Sequence, residues 1–250
     1  GGVYAIYASG LWMGAKVNNE VRVAIAEYSY EFGPGSIDSL THLPNDPNDP
    51  RYLVYKINQG DVIPQPAIED GCPNEVWGDQ MLWSVYNDAD PAYHVNMATA
   101  PLGVEIQQTV FGWSSTGAPV GNLVFLRWLI INKSGQQLDS AYISIWSDPD
   151  LGDSGDDLVG CDSTLSLGYC YNSNNNDGEY GAAPPSVGYD YLQGPIVPSP
   201  GDTARFMGQL IYDYKNLPMT SFLSYNNTNE IDGNPQTGDE VYKYMQSLWR

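Results

Sequence analysis

Between residues 80 and 148 four runs, QMLWSVYND, LGVEIQQTVFGW, NLVFLRWLIIN and LDSAYISIWSD, are each cut off by Asn, Asp, Gly, Pro or Ser. They are rich in β-branched and aromatic side chains, and where they alternate they do so with a period of two. That period suits strands and no helix. In NLVFLRWLII both alternating faces are apolar apart from Arg127, which predicts a strand lying mid-sheet and covered on both sides.

The same punctuation runs through the chain. LWMGAKV and EVRVAIAEYSYEF flank Asn18-Asn19, a pair suited to the positive φ values of a tight hairpin. HLPNDPNDPRY must be loop, because its prolines cannot donate to a ladder. YLVYKI, TLSLGYCYN, SVGYDYLQG and ARFMGQLIYDY read as further strands, and residues 58–78 as an irregular loop. One helix is expected, at the end. Thr237 with Glu240 makes a capping box, and Val241, Tyr244, Met245 and Leu248 form an apolar stripe. The fold class is therefore all-β: a β-sandwich, jelly-roll or Ig-like, with long Asp/Gly/Pro-rich loops and one short C-terminal helix. At 250 residues it is one sandwich domain or two tightly packed β subdomains.

The segment WSDPDLGDSGDDLVGCDS carries Asp148, Asp150, Asp153, Asp156, Asp157 and Asp162, with no basic residue between Lys133 and Arg205. Two carboxylates ~4 Å apart repel by about 1 kcal/mol in water and about 4 kcal/mol at an effective dielectric near 20. Packing them together calls for an outside cation. Calcium takes six to eight oxygens on a pliable Gly/Asp loop, so these six aspartates are the candidate ligands, with Asp148, Asp150, Asp153 and Asp157 foremost. The loop is no EF-hand, since its twelfth position is Val159. A solvated turn of Asx motifs is the competing reading. Asp88 and Asp90, at the end of a strand, form a possible second metal site.

Catalytic signatures are thin. There is no GxSxG elbow, no HExxH and no phosphate-binding Gly loop, and His42 and His94 lack evident partners. Glu27 with Glu31, and Glu105 beside Gln107, are better read as solvated strand faces than as a glycosidase pair. Most of the seven tryptophans sit in apolar alternation, which leaves Trp77 and Trp113 as candidates for an exposed sugar-stacking platform. Cys161 and Cys170 can bridge across a turn, leaving Cys72 single; three unpaired buried thiols is the alternative.

A net charge of −20 argues against nucleic acid and anionic membranes as partners. No apolar run is long enough to span a bilayer, so no membrane insertion is expected. Abundant Gly, Tyr and Pro with few charged residues fits an extracellular β protein. GGVYAIYASG lacks the basic flank of a signal peptide, and the chain is expected to be mature, trimmed or a fragment.

SGLWMGAKVNNEVRVAIAEYSYEFGPGSI, DQMLWSVYNDAD, PLGVEIQQTVFGW, the stretch from LRWLIIN through GDSGDDLVGCDSTLSLGYCYN, GYDYLQGP, LPMTSFLSYNN and GDEVYKYMQSLWR together resemble a recurrent β-rich region. That region occurs in large secreted surface proteins of Bacteroidota and related phyla, of the type IX secretion cargo type. The resemblance implies export to the cell surface or medium, an Asp-rich loop as a family feature, and a longer parent chain bearing a sorting domain. It also implies O-glycans at Asp-Ser/Thr followed by a small or apolar residue, here at Ser39, Ser140, Ser163 and Thr203. Asn132 and Asn226 match N-glycosylation acceptors.

The expected function is an extracellular or cell-surface structural protein, an adhesin, filament or matrix subunit, stabilised by calcium in the Asp-rich loop. Its expected partners are further copies of itself or an extracellular polysaccharide. The alternative is a carbohydrate-binding module or a glycoside hydrolase-associated domain.

Overall fold

The computed structural model describes residues 2–249, and the chain divides into two compact units. One is the continuous stretch Met13–Ala141; the other is built from both chain ends, Gly1–Trp12 and Tyr142–Arg250. The architecture of the described residues is all-β and sandwich-like in class, as the strand pattern implied.

The Met13–Ala141 unit opens on the end of β1 (Ala8–Val17), which pairs with β2 (Glu20–Ile25) across the turn at Asn18 and Asn19. Both asparagines have positive φ, 52° and 67°, as the hairpin requires. Next come β3 (Gly33–Pro34), β4 (Tyr55–Asn58), a single helical turn α1 (Gln65–Glu69), β5 (Gln80–Asn87), β6 (Val104–Gly112) and β7 (Val124–Asn132). They build a five-stranded antiparallel sheet in the order β3-β5-β6-β7, with β4 on the same edge of β5 as β3.

Segment 58–78 is not wholly irregular. Pro64 and Pro66 start α1, whose Ala67 packs with Cys72 onto Tyr55, Ile57, Met81, Trp83 and Val85. Proline at the first turn of a helix loses no hydrogen bond, which is why a Pro-rich stretch still winds there.

Strand β7 departs from expectation more seriously. It pairs with β6 on one side only and ends the sheet, and Val124 and Leu126 are exposed. The mid-sheet place belongs to β6, whose Val104 and Ile106 are fully buried. The two-sided apolarity of β7 therefore marks an edge strand with Phe125 on one face and Trp128 on the other, each only partly covered.

The second unit contains β8 (Asp139–Asp148), β9 (Asp157–Asp162), β10 (Leu167–Asn172), β11 (Asn176–Asp177), β12 (Gly181–Ala182), β13 (Ser186–Asp190), β14 (Ile196–Phe206), β15 (Gln209–Asn216) and the helix α2 (Gly238–Tyr244); the first residues of β8 belong to the other unit. Here Tyr7 N–H donates to Asp148 O at 2.9 Å and Ser9 Oγ to Trp146 O at 3.0 Å, tying the N-terminal segment to β8. Strands β13, β10 and β9 form an antiparallel sheet, β11 with β12 a two-residue ladder, and β14 with β15 a hairpin.

ARFMGQLIYDY is thus two strands. The chain reverses at Met207 and Gly208, both at positive φ, and Met gives no sequence signal for such a turn. Helix α2 starts as expected, with Thr237 accepting from Glu240 N–H. Val241, Tyr244 and Met245 are buried, whereas Leu248 lies beyond the helix and is exposed. Around them Trp146 Nε1 donates to Tyr225 Oη at 2.6 Å, and Tyr142 meets Tyr242 edge to face.

Candidate metal centre

The six aspartates of the acidic segment divide between two local structures. Asp162 ends β9 and closes the β9–β10 hairpin. Its Oδ1 accepts from Thr164 N–H, Thr164 Oγ1 and Leu165 N–H, and these bonds, the threonine hydroxyl foremost, hold its carboxyl below the usual carboxylate range. It is a turn residue and stands apart from the cluster.

The others gather where β8 ends and β9 begins, because the Asp153 side chain caps a 3-10 turn, Ser154–Asp156, that folds the loop back on itself. Burial, with the charges of Asp148 and Asp157, raises the Asp150 carboxyl above its ordinary value. Asp157 is raised chiefly by burial. An N–H from Leu151 at 2.9 Å opposes the rise, while the charges of Asp156, Asp177 and Asp153 add to it.

Asp177, in the loop NSNNNDG, went unrecognised in the sequence. Its Oδ1 accepts from Glu179 and Tyr180 N–H and its Oδ2 from Asp153 N–H, so the carboxylate staples β11 to the acidic loop. The Tyr180 N–H above all lowers its pKa. Gly152 is obligatory beneath it: φ is +74°, and a Cβ there would meet Asp177 Oδ1.

In this region Asp156 Oδ1, Asp157 Oδ1 and both polar atoms of the Asn172 side chain, the acceptor Oδ1 and the donor Nδ2, are buried without a hydrogen-bond partner. Two of these residues are neighbours, since Asn172 is the register partner of Asp157 across β9 and β10; Asp156, one residue before, pairs with Ser173 instead. The second oxygen of Asp156 is occupied by Ser173 Oγ and Asn174 Nδ2, and that of Asp157 by Leu151 N–H. A buried polar atom left unpaired costs about 1–3 kcal/mol. No Lys, Arg or His contributes to the charges that act on Asp150 or Asp157. These are hard oxygen donors of the kind calcium takes. Among the described residues no three His, Cys, Asp or Glu side chains form a preassembled metal cage, so an ion here would draw on Asn172, backbone carbonyls and water as well.

The second acidic pair has other roles. Asp88 is fully buried; Leu102 and Val104 N–H donate to its two oxygens at 2.6 and 2.7 Å, and His94 Nε2 lies 3.5 Å away. Asp90 caps a 3-10 turn through Ala92 N–H. Asp88 is a strand anchor and Asp90 a turn former.

Cys161 and Cys170 are free thiols. The register sets Cys161 opposite Gly168 and Cys170 opposite Val159, so the two are diagonal neighbours, about 7–8 Å apart at Cα, beyond the reach of a disulfide. Cys161 is exposed and Cys170 buried.

Glu31 and Glu105 do not occupy solvated strand faces; both are buried. Glu31 accepts from Ile25 and Met97 N–H, and Glu105 from Ile37 N–H and Lys133 Nζ. Ser39, Ser140, Ser163 and Thr203, and Asn132 and Asn226, all lie on exposed residues. Trp113 is exposed, as expected, while Trp77 is half-buried against Phe111. Comparison with known proteins found no matching family model, no similar curated protein and no similar solved structure.

Proposed function

We propose that this chain is an extracellular or cell-surface structural protein, an adhesin, filament or matrix subunit, whose acidic loop is clamped by calcium. The observation that carries the clamp is the set of unpartnered buried oxygens on Asp156, Asp157 and Asn172, beside the crowded carboxylates of Asp150, Asp153 and Asp177. A cation satisfies the two carboxylate oxygens and relieves their crowding, with the Asn172 amide turning its oxygen to the ion, and calcium tolerates the irregular mixture of carboxylate, amide and backbone oxygens on offer. Asp156, Asp157 and Asn172 would hold the ion, with Asp148, Asp150 and Asp153 in support. Bound there, it would order the β8–β9 connection on folding, and millimolar calcium outside a cell suffices for a site of modest affinity.

On this reading the chain lies outside the cell, as the resemblance of its segments to secreted surface proteins of Bacteroidota would imply. Exposed hydroxyls at the four Asp-Ser/Thr positions fit a glycosylated surface. Self-association through calcium or through the open edge of β7, or contact with an extracellular polysaccharide, follows from the same reading.

Thermal melts in calcium and in EGTA test it, with magnesium as the control. At calcium 100-fold above its Kd the clamp adds about 2.7 kcal/mol, which is several degrees at this size. An unchanged midpoint removes calcium from the account.

A further inference from the structure

One face of the five-stranded sheet carries aromatic rings that its covering segment leaves partly open. Phe111 and Phe125 are register partners on β6 and β7, stacked at 5.2 Å between centroids. Trp113 stands edge-on to both, at 5.7 and 5.6 Å, and is 39 % exposed. Trp77 closes the inner side against Phe111 at 5.3 Å. Two residues along β7 from Phe125, on the same face, Arg127 lays its guanidinium 5.4 Å from the Trp77 ring centroid.

Among the described residues Arg127 is a half-buried arginine with no carboxylate partner. Arg22, Arg51 and Lys133 each pair with a carboxylate, whereas among the described residues Arg127 forms no ion pair and no hydrogen bond. Burial lowers its pKa, and no neighbouring carboxylate counters that effect. A half-buried guanidinium stacked on tryptophan, with its donors uncommitted, is a planar receptor for a carboxylate. Next after Trp113 in the chain, an open, shallow surface depression is lined by Ser114, Ser115, Thr116 and Asn122, whose hydroxyls and amide suit sugar hydroxyls. Ser114 is held in place by Asp79, which accepts from its N–H and Oγ.

We propose that this ledge binds an acidic sugar: a pyranose ring stacks on Trp113, its hydroxyls reach the serine-lined depression, and the carboxylate of a uronic acid pairs with Arg127. The overall negative charge does not forbid it, because charges more than about 8 Å away are screened at physiological salt and the ligand's charge meets a half-buried arginine that no described carboxylate neutralises. The ledge lies wholly in the Met13–Ala141 unit, so the inference is independent of the calcium clamp.

Tryptophan fluorescence and calorimetric titration of the full chain with trigalacturonate, and with neutral galactotriose as comparison, test it. The acidic trisaccharide is expected to bind and the neutral one to bind at least tenfold more weakly. Arg127→Gln should cost about tenfold in affinity for trigalacturonate and nothing for galactotriose, and Trp113→Ala should weaken both. Calcium bridging between sugar and protein would leave binding indifferent to Arg127. That indifference, equal binding of the two sugars, or no binding of either by a chain that still melts cooperatively, overturns the proposal.

Discussion

The Nζ of Lys133 lies 2.6 Å from Oε2 of Glu105, a carboxylate whose side chain is only 2 % exposed. The same ammonium donates to Ile37 O at 3.0 Å, and the same oxygen accepts from Ile37 N–H at 2.8 Å. One ion pair therefore fastens the loop around Ile37 to the ends of β6 and β7. Removing one partner strands a buried charge, so Lys133→Met is expected to destabilise the protein by about 3–5 kcal/mol. The double change Lys133→Met with Glu105→Gln should recover much of that. Urea denaturation of both variants measures the difference, and equal losses would mean that the pair is not coupled.

Glu31 and His94 set a pH dependence of known sign. Burial pulls the His94 pKa down, but the hydrogen bond and charge of Asp88, with the charge of Glu31, more than offset this and leave it above its ordinary 6.5. A raised folded pKa means stability that is complete below about pH 6.5 and is lost as pH climbs through the folded value. Glu31 is raised by burial, so its contribution too is present below about pH 4.5 and fades as pH rises through its folded value. The melting temperature should therefore fall between pH 6.5 and 8.5, and His94→Gln should flatten that slope. A slope unchanged in the variant would assign it to other groups.

The thiols divide by exposure. Burial pushes both Cys72 and Cys170 up to about 11, the latter helped by the charge of Asp157. Cys161 is exposed. Ellman's reagent at pH 8 should label one thiol quickly in the native protein and the other two only on unfolding. Two fast thiols lost together on mild oxidation would instead indicate that Cys161 and Cys170 approach more closely than their register allows.

Period-two alternation located β1, β2, β5, β6, β7 and β8, because a strand half-buried on one face writes its burial directly into sequence. The capping box at Thr237 likewise declared α2. Edge and centre were not legible. The rings of Phe111, Phe125 and Trp113 cover one another beside the margin of the sheet, so β7 reads as doubly buried without being so. Charge was misread where backbone N–H groups satisfy it: nothing near Asp88, Glu31 or Glu105 in sequence announces Leu102, Met97 or Ile37 as donors. In the acidic segment the aspartates drew attention, yet a third of the segment is strand β9, and the register that brings Asn172 opposite Asp157 depends on a hairpin that sequence alone did not set. Asn172 and Asp177 sit beyond the Asp-rich run, among asparagines typical of turns, which is why they were missed.

Asp157→Asn separates the calcium clamp from mere acidity. The substituted side chain keeps an oxygen for Leu151 N–H and removes a negative charge that burial and Asp156, Asp177 and Asp153 oppose. In EGTA the variant should therefore be more stable than the parent at pH 7, by about 2–4 °C if the relief is near 1 kcal/mol. In calcium the order should reverse, because a carboxylate ligand has been lost. Asn172→Ala makes the complementary test, lowering the calcium response without relieving any repulsion. A protein in which Asp157→Asn is stabilising with and without calcium, and Asn172→Ala leaves the calcium response intact, has a crowded acidic loop and no ion within it.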